Sequence, residues 1–176
     1  GSGKSTLMHV VSGLDTPDEG QILIDDVDIL KLKQKAVDKF RAEKIGFIFQ
    51  SFFVEANESV YDNVSLPLEI AKVPRSKRKA RVNAALKAVE LTDKIKNKAK
   101  NLSGGQKQRL AIARAIVNEP SIIFADEPTG NLDSVTGAKV EDLLFGYNKD
   151  KGVTLIVVTH DEDLAKKCDM IVSIKD

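Results

Sequence analysis

The feature that most restricts the fold of this chain is a set of three short apolar runs, each ending at a polar residue. IGFIF precedes Gln50, SIIFA precedes Asp126 and VTLIVVT precedes His160. The second and third runs have the composition of strands that are buried on both faces of a parallel sheet. Because helix-prone segments separate the runs, the order predicts an α/β doubly wound sheet.

The carboxyl ends of parallel strands meet at one edge of a sheet, and ligands bind beyond that edge. The polar residues after the three runs are therefore expected to gather there. The chain also opens with GSGKST, the second half of the phosphate-loop pattern G-x-x-x-x-G-K-[ST]. Taken alone, that fragment is equally consistent with a linker.

Phosphoryl transfer to water needs an anion cradle, a metal ion and a positioned nucleophile. The backbone N–H groups of residues 1–6 can form the cradle at a helix N-terminus. Lys4 supplies charge for the β- and γ-phosphates, and Ser5 can bind Mg²⁺. Asp126 is a candidate oxygen ligand acting through water, and Glu127 is a candidate base for the attacking water.

Gln50 and His160 are candidates for orienting the water, the metal shell or the γ-phosphate. Each of these features also has a simpler interpretation: an Asp-Glu pair after a strand is often a helix cap, and a histidine after a strand is often a loop residue. Their joint placement at one sheet edge favours a nucleotide-hydrolysing site.

The most specific string is LSGGQKQRLAIARA, residues 102–115. Ser103, Gly104 and Gly105 open a helix and offer a second set of N–H groups to an anion, although a plain N-cap would look similar. One chain thus carries two phosphate-seeking helix starts. A two-fold, head-to-tail dimer would place one of each on either side of a nucleotide.

Other segments complete the predicted organisation. The pattern predicts a strand-turn-strand unit over residues 21–29, with its turn at Asp25–Asp26, and a charged surface helix over 34–44. It also predicts a crossover helix over 134–149 and a last strand over 170–174. Residues 51–101 are predicted to be a mostly helical insert broken at Pro67 and Pro74. Cys168 is interpreted as a buried structural thiol.

Composition excludes some classes of protein. The formal net charge is +1 from 27 basic and 26 acidic residues, which gives no support for a nucleic-acid binder. One cysteine rules out an internal disulfide framework and fits a reducing compartment. The longest apolar runs are far below the roughly 18 residues of a membrane span.

In their order, the motifs resemble those of the nucleotide-binding domain of an ATP-binding cassette (ABC) protein. Gly3-Lys4-Ser5-Thr6 resembles the Walker A tail and Gln50 the Q-loop glutamine, while LSGGQ matches the ABC signature. IIFADEP resembles Walker B with Glu127 as the catalytic residue. NLD, ending at Asp133, resembles the D-loop, and VVTHD resembles the switch region with His160.

The resemblance implies a P-loop NTPase fold with a RecA-like parallel sheet core. One ABC ATPase domain would span residues 1–176, with the core at 1–50 and 102–176 and a helical subdomain at 51–101. The family begins before Gly1 and continues past Asp176. The chain is therefore expected to be cut at both ends and to have its N-terminal antiparallel β part largely missing.

The resemblance also implies an ATP hydrolase with ATP and Mg²⁺ as cofactors. The implied catalytic residues are Glu127, His160 and Gln50, and the implied metal ligands are Ser5, Gln50 and Asp126. The implied nucleotide-binding residues are Gly1, Ser2, Gly3, Lys4, Ser5, Thr6, Ser103, Gly104, Gly105, Gln106 and Asp133.

Finer strings such as DEPTGNLDSVTG resemble ATPases of the lipoprotein-release and macrolide-efflux type. That branch implies a homodimer with sandwiched nucleotides, a transmembrane permease partner, no nucleic acid, and peripheral attachment at the cytoplasmic face of the membrane. Residues 51–73 would include the permease-coupling surface. Within it, Phe52, Phe53 and Val54 are either exposed for that contact or packed inside the insert.

Two other functions stay in view. A regulatory or scaffolding ABC ATPase of the cell-division type would drive a cell-envelope process rather than export. Chromosome-maintenance relatives carry a long coiled coil, and residues 51–101 show no sustained heptads. Translation-type relatives carry two cassettes, and this chain shows one.

Overall fold

Three parallel strands organise the fold. The computed structural model describes residues 3–174. The helices and strands in this part of the chain are α1 (Lys4–Val11), β1 (Leu23–Ile24), β2 (Val27–Asp28), α2 (Gln34–Lys44), β3 (Ile45–Ile48), α3 (Val60–Ile70), α4 (Arg75–Ala88), α5 (Gly104–Ile116), β4 (Ile122–Asp126), α6 (Ser134–Lys151), β5 (Thr154–Val158) and α7 (Glu162–Ala165). None of the helices described is long and apolar enough to span a bilayer.

The parallel sheet has the order β3-β4-β5, with β4 in the centre. Ile122 pairs with Ile45 on one side and with Thr154 on the other, and the ladder ends with Asp126 opposite Val158. The predicted parallel sheet is confirmed, and α6 is the crossover between β4 and β5. Burial of β5 on both faces is not observed: residues 155–158 are half-buried, because β5 is an edge strand of the described sheet.

The small hairpin of β1 and β2 has its turn where the sequence predicts it. Asp25 and Asp26 have φ angles of 50° and 61°, the left-handed pair that two-residue hairpins favour. Ser121 Oγ donates to Asp25 Oδ2 at 2.8 Å. This bond fastens the hairpin turn to the entry of β4.

Residues 51–101 are mostly helical, as predicted, and α3 and α4 pack on α5. Val64 and Leu86 are fully buried in one core with Ile48 and Ile123 of the sheet. The predicted break at Pro67 is wrong, because this proline lies inside α3. Proline removes one backbone donor, and the complete burial of the neighbouring Val64 and Leu68 offsets that loss.

The predicted strand over residues 170–174 is not formed and has no strand partner within residues 3–174. The segment lines an apolar cavity of about 290 Å³ together with α1 and β5, and no described backbone hydrogen bond joins it to β5. Met170 and Val172 are 79% and 73% exposed. Cys168 lines the same cavity and is half-buried rather than buried, and burial raises the pKa of its thiol.

Candidate active site

The N-terminus of α1 is an open helix start. Gly3 is the N-cap, with φ 77° and ψ 3°, a left-handed conformation that glycine adopts without strain. Within the described residues no side chain caps α1, and its first turn from Lys4 carries no acidic residue. The N–H groups of a first helical turn and the positive helix end suit an anion. Thr6 lies exposed in this turn, whereas Gly1 and Ser2 lie outside the described residues.

Ser5 and Asp126 meet at the carboxyl edge of the sheet. Ser5 Oγ donates to Asp126 Oδ1 at 3.4 Å, and Asp126 is the last residue of β4. A hydroxyl and a carboxylate are hard oxygen ligands of the kind Mg²⁺ takes, and the ion fills its other positions with water and substrate phosphates. Residues 3–174 contain no cluster of three His, Cys, Asp or Glu side chains that could hold a metal. The donor chemistry of Ser5 and Asp126 fits an Mg²⁺ ion shared between the protein and a phosphate ligand.

Glu127 directly follows β4 and is held by hydrogen bonds to the end of β5 and to the loop after it. Its backbone is left-handed, with φ 45°, and its N–H donates to Val158 O at 2.8 Å. His160 donates its backbone N–H to Oε1 at 2.9 Å, and its ring Nδ1 lies 2.7 Å from the same oxygen. The Thr159 hydroxyl donates to Oε2 at 3.2 Å. The structure thus brings two of the three predicted catalytic residues, Glu127 and His160, together and fixes both oxygens of the carboxylate.

The loop that carries His160 is fixed by a cap on α7. Asp161 Oδ1 accepts the N–H groups of Asp163 and Leu164 at 2.8 and 3.2 Å. Both backbone hydrogen bonds lower the pKa of the Asp161 carboxyl, and the bond from Leu164 has the larger effect. Asp161 N also donates to Thr159 Oγ1 at 3.0 Å, so the residues around Glu127 form one continuous network.

Gln50 lies at the same sheet edge but bonds elsewhere. Asn131 Nδ2 donates to Gln50 O at 2.8 Å, and Gln50 Nε2 donates to Asn131 Oδ1 at 3.4 Å. Within residues 3–174 no described hydrogen bond joins Gln50 to Ser5 or Asp126. The predicted metal ligand Gln50 is therefore docked on the loop after Glu127.

The second predicted anion site, at the start of α5, is a capping box. Ser103 Oγ accepts the N–H of Gln106 at 3.3 Å, and Gln106 Oε1 accepts the N–H of Ser103 at 3.0 Å. A Cβ on Gly105 would lie 2.3 Å from Thr136 Cγ2, so only glycine lets α5 approach α6, while Gly104 has Leu132 as its nearest neighbour. Ser103, Gly105 and Gln106 line a polar cavity of about 570 Å³ with α4 and α6, apart from the cavity that Lys4 lines.

Asp133 is the N-cap of α6, and its Oδ1 accepts the N–H of Thr136 at 3.0 Å. Hydrogen bonds from the hydroxyl and the backbone N–H of Thr136 lower the pKa of this carboxyl. Asp133 thus has a structural role in the single chain, next to the exposed Asn131.

Three supporting side chains are not among the predicted site residues, although Asn131 belongs to the NLD string. Thr159 and Asn131 hold Glu127 and Gln50, as described above. Gln108 is fully buried on α5, and its Nε2 donates to Pro128 O at 2.5 Å, directly after Glu127. A polar side chain facing into an otherwise apolar helix face is the one signal that points to Gln108 in the sequence.

Comparisons with known proteins agree with this geometry. The family model described as ABC transporter matches residues 1–130. The chain is 46% identical over 176 residues to the uncharacterized ABC transporter ATP-binding protein YvrO of Bacillus subtilis, covering all of the chain and 76% of the relative. It is 42% identical over 176 residues to the lipoprotein-releasing system ATP-binding protein LolD of Syntrophus aciditrophicus, covering all of the chain and 79% of the relative.

Solved structures give the same result. The dimeric structure of MJ0796, a bacterial ABC transporter cassette, superposes with a TM-score of 0.82 at 43% identity, covering 94% of this chain and 73% of that one. The same cassette in a dimeric post-hydrolysis state bound to ADP and Pi also has a TM-score of 0.82, at 42% identity over the same shares of the two chains.

Proposed function

The chain belongs to the ABC transporter family and is an ABC-type ATPase, and from this premise we propose that it powers a membrane permease through ATP-driven closure of a dimer. The observation that carries the proposal is the order of side chains at one sheet edge. Ser5 faces Asp126, and the next residue, Glu127, faces His160. A metal-binding pair thus lies one residue from a carboxylate that can serve as a base.

In the proposed mechanism the phosphates of ATP lie against residues 1–6, with Lys4 balancing the charge of the β- and γ-phosphates. Ser5, Asp126 and Gln50 would hold Mg²⁺, which supplies positive charge to the phosphate oxygens when bound. Glu127 accepts the proton of the attacking water. His160 keeps the Glu127 carboxylate in place through the bonds to Oε1.

The second half of each site is proposed to come from another copy of the chain. The residues Ser103, Gly104, Gly105 and Gln106 lie at the start of α5, and Ser103 and Gly104 are exposed there. In a head-to-tail pair this helix start would face the γ-phosphate held by the partner. Asp133 and Asn131 lie exposed beside it and would border the same interface.

A groove of about 600 Å³ is the proposed docking surface for the permease. It lies between α2, β3, α3 and α5 and is lined mainly by apolar side chains, including Phe49, Leu66 and Ile70. Phe53 is 64% exposed and packs edge-on against Phe49, with ring centroids 5.4 Å apart. Val54 packs instead against the core, so only part of the predicted coupling segment is available to a partner.

We further propose that the permease is of the lipoprotein-release and macrolide-efflux type, which the similarity to LolD supports. The same proposal divides the chain into a core at 1–50 and 102–176 and a helical subdomain at 51–101. It also attaches the protein to the cytoplasmic face of the membrane through the permease.

The test uses the full-length protein with Glu127→Gln. We expect this variant to bind ATP and form dimers that size-exclusion chromatography detects, while its turnover falls more than about 100-fold, because the base is lost. Glu19→Gln, an exposed turn residue, is the matched control and should hydrolyse ATP like the wild type. Wild-type turnover in Glu127→Gln, or a strictly monomeric ATP-bound variant, would overturn the proposal.

A further inference from the structure

Gln50 is clamped by two neighbouring residues of the loop after Glu127. Asn131 receives one hydrogen bond from the Gln50 amide and returns one to the Gln50 backbone carbonyl, at 3.4 and 2.8 Å. A Cβ on Gly130 would lie 2.8 Å from Gln50 Nε2 and 3.4 Å from Gln50 Cδ. The amide therefore lies flat against a position that has no room for a side chain.

This loop is itself tied to Glu127. Gly130 N donates to Glu127 O at 3.1 Å, and Leu132 N donates to Thr129 O at 3.0 Å. These two hydrogen bonds close a tight turn directly after Glu127. Whatever displaces the loop displaces the support of Gln50.

The chain that follows Gln50 is held just as firmly. Phe52 and Phe53 both have left-handed backbones, with φ 49° and 45°, a conformation that side-chain-bearing residues rarely adopt. Arg114 donates to the carbonyl oxygens of Phe53 and Phe52 at 2.5 and 3.0 Å from α5. Gln50 thus lies between the Phe52–Phe53 segment, which Arg114 holds, and the side chain of Asn131.

We propose that Asn131 is a positioning residue that docks Gln50 on the loop after Glu127 and releases it when Gln50 turns toward the metal. The metal part rests on the proposed function, whereas the docking does not. The two hydrogen bonds between Gln50 and Asn131 join neutral groups at an exposed position, so they are weak enough to break in every cycle of ATP hydrolysis. A stronger, buried pair would hold Gln50 permanently.

Hydrogen exchange in the full-length, nucleotide-free protein tests the docking. In Asn131→Ala and Asn131→Asp, both of which lose the donor to Gln50 O, amides of residues 50–54 should exchange at least 10-fold faster than in the wild type. Asn83→Ala, an exposed asparagine on α4, is the control and should leave this segment unchanged. Wild-type exchange in both Asn131 variants would overturn the docking.

The Mg²⁺ dependence of ATP hydrolysis tests the release. Because Gln50 no longer has to leave Asn131, the Mg²⁺ concentration for half-maximal activity at saturating ATP should fall about 3-fold in Asn131→Ala. Faster exchange with an unchanged Mg²⁺ midpoint would make Asn131 a structural residue only and overturn the positioning role. If the wild type hydrolyses no ATP, the proposed function fails, while the exchange experiment still reports on the docking.

Discussion

Both contacts of His160 with the Glu127 carboxylate are made to one oxygen: the backbone N–H donates to Oε1 at 2.9 Å, and the ring Nδ1 lies 2.7 Å from Oε1 and donates to it in the tautomer protonated at Nδ1. A carboxylate oxygen has two lone pairs, so Oε1 is filled. Oε2 has one described donor, the Thr159 hydroxyl at 3.2 Å, and keeps a lone pair. The geometry therefore makes Oε2 the oxygen that can accept a proton from water, with Thr159 fixing its direction.

Thr159→Val should slow hydrolysis without weakening nucleotide binding. Removing one hydrogen bond to a charged group costs about 1.5 kcal/mol, which corresponds to a fall in kcat of roughly 10-fold. Steady-state kinetics of the full-length protein check this, with an unchanged KM for ATP. Thr159→Ser keeps the hydroxyl and should retain most of the activity. Loss of activity in Thr159→Ser with full activity in Thr159→Val would show that the methyl group, not the hydroxyl, matters.

Gly105→Ala should loosen the packing of α5 on α6. The new methyl group would meet Thr136 Cγ2 at 2.3 Å, and overpacking of this kind typically costs about 1–3 kcal/mol. Thr136→Ser removes Cγ2 but keeps the hydroxyl that binds Asp133. In urea unfolding, the double variant should recover most of the stability lost in Gly105→Ala. If the two effects simply add, the contact is not the cause.

Gly46→Ala should lower the free energy of unfolding, and Gly146→Ala should raise it. In β3, a Cβ on Gly46 would lie 2.6 Å from the backbone oxygen of Ala115. Backbone cannot move aside cheaply, so a loss of about 2 kcal/mol or more is expected. In α6, Gly146 has no atom within 4 Å of its Cβ position, and alanine should add about 0.5–1 kcal/mol. Urea midpoints of the two variants measure both signs.

The sequence predicts the elements whose chemistry is local. The charged helix over 34–44 has the bounds of α2, and the Asp25–Asp26 turn needs only its own residues. The strand over 170–174 fails because a strand also needs a partner, which composition does not reveal. Pro67 inside α3 shows the same limit, since burial of the helix face outweighs a local breaker.

For the site, too, the sequence predicts some residues and misses others. The residues at the strand ends are found because parallel topology brings all three to one edge. Asn131, Thr159 and Gln108 are not, because their contacts depend on tertiary packing. Gln50 and Asn131, for example, are 81 positions apart. Asn131 lies in the NLD string and Thr159 in VVTHD, but neither string reveals which residue its side chain holds.

Acid should weaken the fold through the caps of α6 and α7. The pKa values of Asp133 and Asp161 are lowered by hydrogen bonds from Thr136 and from the backbone of Leu164 and Asp163. A carboxyl whose pKa is lower in the folded state stabilises the fold above its unfolded pKa of about 3.9. That contribution is lost as the pH falls through the folded value.

The double variant Asp133→Asn/Asp161→Asn tests this, because asparagine caps helices about as well as aspartate but does not titrate. At pH 7 its melting temperature should stay close to that of the wild type. Between pH 5 and 3, its melting temperature should fall less steeply, since two sites of proton uptake linked to unfolding are removed. Asp18→Asn, in an exposed turn outside the helix caps, should follow the wild type. Parallel curves for the wild type and the double variant would show that neither cap contributes to the acid sensitivity of the fold.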